Sequence, residues 1–204
     1  MSVAKTERGL DRLVNFSDAT VAIAITLLIL PLVDEASTAA HDGIGSWMSE
    51  NYWQLLAFAL SFGVIARFWI THHRVFEWLV TYDARLIRVN FLWLAAIAFM
   101  PFTTNALSAS GNTQSAVYGL YIGNMTVVSL AMQLIVVLLR RTPELVRESA
   151  RPAIDADRGW FSVGILFVAG VLSVAVPVIG MWWLLLLFLQ SPLVALTRRL
   201  RRRG

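Results

Sequence analysis

The 204-residue chain is 57% hydrophobic and only 15% charged, with mean hydropathy +0.66; a soluble domain carries about 25% charged residues, so this is the composition of an integral membrane protein. It has no cysteine, which excludes disulfides, thiolate metal sites and cysteine nucleophiles and says nothing about compartment. The net charge of +4 comes mainly from Arg198, Arg199, Arg201, Arg202 and Arg203, a run that at the end of a membrane helix acts as an orientation anchor at anionic headgroups rather than as a nucleic-acid contact.

A membrane span needs about 20 mostly apolar residues. Six segments qualify, at roughly 13–33, 52–72, 86–107, 115–139, 160–179 and 181–196. The expected fold class is therefore all-α and polytopic, with a single six-helix domain over residues 1–204. The N-terminus, MSVAKTERGLDRL, has neither an apolar signal core nor a small-residue cleavage site, so the first span is expected to be retained.

The first span begins with a polar head, Arg12 to Asp18, and runs into a stretch from Ala19 to Val33 that carries no charge and only two hydroxyls, Thr20 and Thr26. At about 100° per residue, Ile23, Leu27 and Leu30 fall on one stripe, with Thr26 on its shoulder and Asp18 well away from it. A carboxylate at the end of a membrane helix must find donors. The ordinary account of the aliphatic stripe is contact with lipid or a neighbouring helix.

The loop after the first span holds Asp34, Glu35, Asp42 and Glu50 and no Lys or Arg. The loop near 108–114 is uncharged. Basic residues gather at both termini and at the second-to-third and fourth-to-fifth connections, with Arg67 toward the inner end of the second span. The positive-inside rule then places both termini in the cytoplasm. Trp47, Trp53, Trp78, Trp160, Trp182 and Trp183 lie near predicted helix ends, as an interfacial belt would.

In the second span, Trp69, His73 and Phe76 are spaced i, i+4, i+7 and share a face. His73 is thereby favoured over His72 as the buried partner of the polar head. Arg12, Trp69, His73 and Asn90 can all supply donors to Asp18; the plainer alternative is a set of separately solvated interfacial residues. Pro101 interrupts the third span, and the carbonyl it leaves unpaired is expected to be met by Thr103, Thr104 or a neighbour. In the fourth, Gly119-x-x-x-Gly123 favours close helix packing within the subunit, and Asn124 and Gln133 are expected to bond across helices. Pro177 and Gly180 predict a tight hairpin between the last two spans, and Pro192 interrupts the sixth.

No enzymatic constellation is present: there is no G-x-S-x-G elbow, phosphate loop or S-x-x-K pair. His72 and His73 are adjacent and point about 100° apart on a helix, and no H-x-x-x-H spacing occurs, so a metal site is not expected. His41 lies in a loop and is expected to be solvated. No cofactor is implied, and no internal repeat is visible.

Arg12-x-x-x-Phe16-Ser17-Asp18, followed by Ala22, Ile23 and the aliphatic row, resembles the signature of the transmembrane protein 175 family of lysosomal and bacterial potassium channels. The segment from Trp69 through His73 and Phe76 to Asp83, Leu86 and Asn90, and then Ala98 to Thr103, is also similar to that family's pattern. The resemblance implies a multi-pass channel of the bacterial cell membrane, permeable to potassium. The first helix would line the pore, with Ile23, Leu27 and Leu30 as a hydrophobic constriction and Thr26 as a polar layer beside it. Arg12, Phe16, Ser17, Asp18, Trp69, His73 and Asn90 would set the rotation of that helix. One first helix cannot enclose a pore, and closed rings are the common solution for identical subunits; the resemblance implies a homotetramer. There is no Thr-Val-Gly-Tyr-Gly filter. A secondary transporter and a non-conducting scaffold are the competing functions.

Overall fold

The computed structural model describes residues 7–110, 115–154 and 156–175. Over these the chain is helical: α1 Glu7–Leu27, α2 Leu30–Asp34, α3 Ala36–Asp42, α4 Ile44–Glu50, α5 Tyr52–Phe76, α6 Ala84–Ala109, α7 Ser115–Arg141 and α8 Ala156–Ala175. Four stretches are long and apolar enough to cross a membrane: Arg8–Asp34, Tyr52–Phe76, Ala84–Ala109 and Ser115–Arg141. The apolar part of α8, Gly159–Ala175, is shorter. The protein is a multi-pass, all-helical membrane protein. The end of the predicted fifth span, the hairpin at Pro177 and Gly180, and the predicted sixth span at 181–196 lie outside the described residues.

The first span is not one helix. Proline has no N–H, and its ring crowds the carbonyl four residues back, which for Pro31 is that of Leu27. The ladder accordingly tightens to i→i−3 bonds, from the N–H of Leu28 to the carbonyl of Ile25 and from that of Ile29 to Thr26, both 3.3 Å. It restarts as α2, where Leu32 and Val33 both donate to the Ile29 carbonyl at 3.0 Å. The expected continuous helix over 13–33 is thus two segments with Pro31 in the first turn of the second, where proline is tolerated. Beyond it, α3 and α4 turn about Gly43, whose φ of 92° is open to glycine and strained for other residues. Trp47 is buried beneath this turn, and its indole N–H points to Glu35 Oε2 at 3.4 Å.

Helix α6 starts on an N-cap: the Asp83 carboxylate accepts from the backbone of Arg85 at 3.0 Å and of Leu86 at 2.8 Å. It then runs through Pro101 without ending. The threonines after that proline do not serve the carbonyl it leaves open. Thr103 and Thr104 both donate to the Met100 carbonyl at 2.9 Å, because a threonine hydroxyl reaches only the carbonyl three or four residues before it. The carbonyl that loses its donor to Pro101 is that of Ile97, six residues before Thr103.

Helices α6 and α7 form the centre, with Trp93, Ile97, Tyr121, Ile122, Met125 and Ile135 fully buried. Helix α8 packs on α7, and α1 lies in the angle between α5 and α6. Small and polar groups set these contacts. Asn124 donates to the Ala96 carbonyl of α6 at 3.0 Å. Gln133 is buried and packs against Gly159 of α8. A buried row of hydroxyls, Tyr121, Ser61 and Thr104, joins α7, α5 and α6 at 3.0 and 2.9 Å. At one end of the bundle Leu79 and Val146 form an antiparallel bridge. The Val80 N–H to Leu145 carbonyl bond (3.0 Å) and the Arg147 N–H to Trp78 carbonyl bond (2.8 Å) flank it. The α5–α6 connection is thereby clipped to the residues after α7.

The two glycines of the small-residue motif differ. A Cβ on Gly119 would stand 2.7 Å from a Val174 methyl of α8, whereas a Cβ on Gly123 would meet nothing within 4 Å. Val174 is β-branched and cannot easily rotate aside. Gly119→Ala should therefore cost about 1–2 kcal/mol and lower the melting temperature in detergent. Gly123→Ala should be neutral or slightly stabilising, since alanine is the better helix former by up to about 1 kcal/mol. Equal melting temperatures for the two variants would contradict the α7–α8 contact.

Candidate functional site: the polar head and outer face of the first helix

Helix α1 has two faces of opposite character. Ser17, Val21, Ala24 and Leu28 are buried at spacings of four, three and four and form its inner seam. The opposite side is bare: Ile23 is 60% exposed, Leu27 41% and, past the break, Leu30 50%. The aliphatic row singled out from the sequence is thus exposed among the described residues, on the side of α1 opposite its inner seam. Thr26 is exposed beside it and donates its hydroxyl to the Ile23 carbonyl at 2.8 Å. That bond uses the proton and leaves the oxygen lone pairs outward.

The inner seam begins with polar groups. Ser17 is fully buried; its hydroxyl donates to the Leu13 carbonyl at 2.8 Å and accepts from Asn90 Nδ2 at 2.9 Å. The amide orientation follows from this chemistry: with the Ser17 proton spent on Leu13, only the NH₂ side of Asn90 can face the hydroxyl oxygen. Asn90 Oδ1 then faces His72 Nε2 at 2.8 Å, so that nitrogen carries the imidazole proton. The His72 ring lies between Phe76 (centroids 3.9 Å apart) and Trp93 (4.1 Å), stacked on both. Next to this chain, Trp69 Nε1 donates to Asp18 Oδ1 at 2.8 Å, a charge-assisted bond between α5 and α1. Trp69 in turn stacks on His73 at 5.2 Å, and His73 pairs with Glu77 at 3.4 Å.

Ser17, Asp18, Trp69 and Asn90 are brought together, but of the expected donors to Asp18 only Trp69 reaches it; Asn90 donates to Ser17 instead. His73 does not hold the expected place. Its side chain is 43% exposed, and it reaches the group only through the face of Trp69; the buried histidine is His72, 1% exposed. The cause is rotation: residues 72 and 73 differ by about 100°, and α6 packs on the side that carries Ala57, Ser61, Ile65, His72 and Phe76. Arg12 is exposed and makes no ion pair among the described residues. Phe16 is half exposed, with its ring 5.7 Å from that of Phe91 on α6. The sequence reading missed the hydroxyl row of Ser61, Thr104 and Tyr121. It also missed Trp93, whose buried indole N–H has no partner among the described residues. The signal for His72 was present, in the row of small and apolar residues it shares with Ser61 and Ile65.

At the far end of the aliphatic row, an open cavity of about 650 Å³ lies between α2, the start of α5 and the end of α6. Leu27, Leu30, Asp34, Gln54, Phe102 and Asn105 contribute to its wall. Among the described residues no three of His, Asp and Glu converge as metal ligands would.

Residues 12–101, which include Ser17, Asp18, Trp69, His72 and Asn90, match the model of the endosomal/lysosomal potassium channel TMEM175 family. Over 180 residues the chain is 33% identical to a potassium channel of Streptomyces collinus, covering 81% of this chain and 84% of that one. It is 36% identical over 98 residues to a potassium channel of Chamaesiphon minutus, which is 48% of each chain. Among solved structures, it superposes with a TM-score of 0.72 on the crystal structure of a lysosomal potassium-selective channel TMEM175 homolog from Chamaesiphon minutus, at 25% identity and over 94% of this chain and 98% of that one. A polar head whose Asp18 and Ser17 are held by Trp69 and Asn90, and a relative 33% identical and matched over 84% of its length, lead to one assignment: the chain belongs to the TMEM175 potassium channel family.

Proposed function

We propose that this chain is a subunit of a passive, potassium-permeable channel of the cell membrane, a homotetramer in which four copies of α1 surround the axis. The observation that carries this reading is the outward-facing row Ile23, Leu27 and Leu30 on a helix whose other side is pinned by hydrogen bonds to its own bundle. Four such rows facing one another form stacked aliphatic rings. Rings of this kind resist hydration and can close a pore by dewetting. They offer an ion no replacement for its water, so conduction requires them to widen or turn. The Thr26 oxygens, open beside Ile23, form the polar layer nearest the constriction. Helix α1 has to present the right face for any of this to work. Ser17, Asp18, Trp69, His72 and Asn90 set its rotation, and the inner and outer faces follow. Both termini lie in the cytoplasm, in keeping with the basic residues at the connections after α5 and α7.

In proteoliposomes, Ile23→Asn should raise potassium flux by roughly tenfold, equivalent to about 1.4 kcal/mol off the barrier, and narrow the preference over sodium. A current that Ile23→Asn leaves unchanged would place the constriction elsewhere. Asn90→Ala strands the His72 Nε2–H, at about 1–3 kcal/mol for that unpartnered group, and leaves Ser17 with only its own-helix bond to Leu13. The yield of assembled oligomer by size-exclusion chromatography should fall sharply, while any channel that does assemble keeps its ion preference. His73→Ala removes only an exposed i,i+4 pair, worth at most about 0.5 kcal/mol, and should assemble normally. Full assembly of Asn90→Ala with altered selectivity would overturn the positioning role.

A further inference from the structure

The pore-facing row does not end at Leu30. Leu30 and Asp34 sit at the two ends of α2, four residues apart and on one face, and both are exposed. Both line the same 650 Å³ cavity, together with Leu27 below them. The side chain of Asp34 makes no hydrogen bond or ion pair among the described residues, whereas that of its neighbour Glu35 is engaged by Trp47. No Lys or Arg occurs between Arg12 and Arg67, and the loop that follows Asp34 adds Asp42 and Glu50. The field at this end of the helix is therefore uniformly negative, and His41 is the only group in that loop that can become positive.

We propose that Asp34 collects cations at the mouth of the pore, its carboxylates forming a charged ring about 6 Å, or roughly four residues of helical rise, beyond the Leu30 ring. This rests on the pore reading of α1. An aliphatic constriction gives a cation nothing in exchange for its water, so the supply of ions to it depends on their concentration at its entrance. Rings of carboxylates raise that concentration in cation pores, and low-dielectric walls focus their field. The ring acts at a distance and needs no direct contact with a dehydrated ion, so salt screens it.

The test is single-channel recording of the full chain in planar bilayers. For potassium entering from the Asp34 side, Asp34→Asn should lower the unitary current by about twofold or more at about 10 mM salt, where the Debye length is about 30 Å, and should have little effect at about 1 M, where it is about 3 Å. Current entering from the opposite side should change less. Because the chain has no cysteine, Asp34→Cys carries its single thiol. A sulfonate-bearing thiol reagent should restore the current and an ammonium-bearing one should depress it further, and the face that the reagent reaches identifies the Asp34 side. An unchanged unitary current, an equal change at both salt concentrations, or fewer channels of normal current would each overturn the ring. Ile23→Asn recorded in parallel separates the two readings. If it alters unitary current while Asp34→Asn does not, the ring is wrong and the pore stands; if neither alters it, α1 does not line the pore.

Discussion

The protein depends on hydrogen-bond satisfaction where water is scarce. A buried hydroxyl or amide left alone at membrane depth costs several kcal/mol, so Ser17, Asn90 and His72 have only a narrow range of mutual arrangements. Ser17 Oγ has one proton, spent on Leu13, and must receive one from Asn90; Asn90 then has only its carbonyl oxygen to offer His72. Two aromatic rings stacked on His72 keep that imidazole in plane. Each bond is of ordinary strength. We propose that these groups set the rotation of α1, because any other rotation breaks the Asn90–Ser17 and Trp69–Asp18 bonds together. The free direction of Ile23 and Leu27 is a consequence of that fit, since in an isolated apolar helix nothing would choose one greasy face over another.

Much of this was legible in the sequence because its chemistry is local. Asp18 is the acid that ends the polar head of the first span, where the apolar stretch begins, and Trp69 and Asn90 are the right kinds of donor on the next two spans, so a shared network was a short inference. Which histidine joins it was harder to read: the spacing to Trp69 favoured His73, the row with Ser61 and Ile65 favoured His72, and the choice depends on where α6 crosses α5. The spacing of Trp69, His73 and Phe76 was real, yet Phe76 lies between the two candidate faces and belongs equally well to that of His72. The break before Pro31 was hidden for a different reason. Prolines are tolerated inside membrane helices, as Pro101 is in α6, and nothing local distinguishes a proline that ends a helix from one that does not.

That break changes how the aliphatic row has to be understood. Ile23 and Leu27 belong to α1 and turn with the Ser17 and Asp18 anchors. Leu30 and Asp34 belong to α2, which is joined to α1 through two long i→i−3 bonds and is followed by Glu35, held by Trp47. The row is continuous in exposure but mounted on two supports. Rotational order imposed at Ser17 is carried rigidly only as far as Leu27. Beyond it, the orientation of Leu30 depends on the α2–α4 cap. A substitution in the polar head and a substitution at Trp47 thus act on different rings of one proposed pore, and the inner ring can turn without carrying the outer one with it.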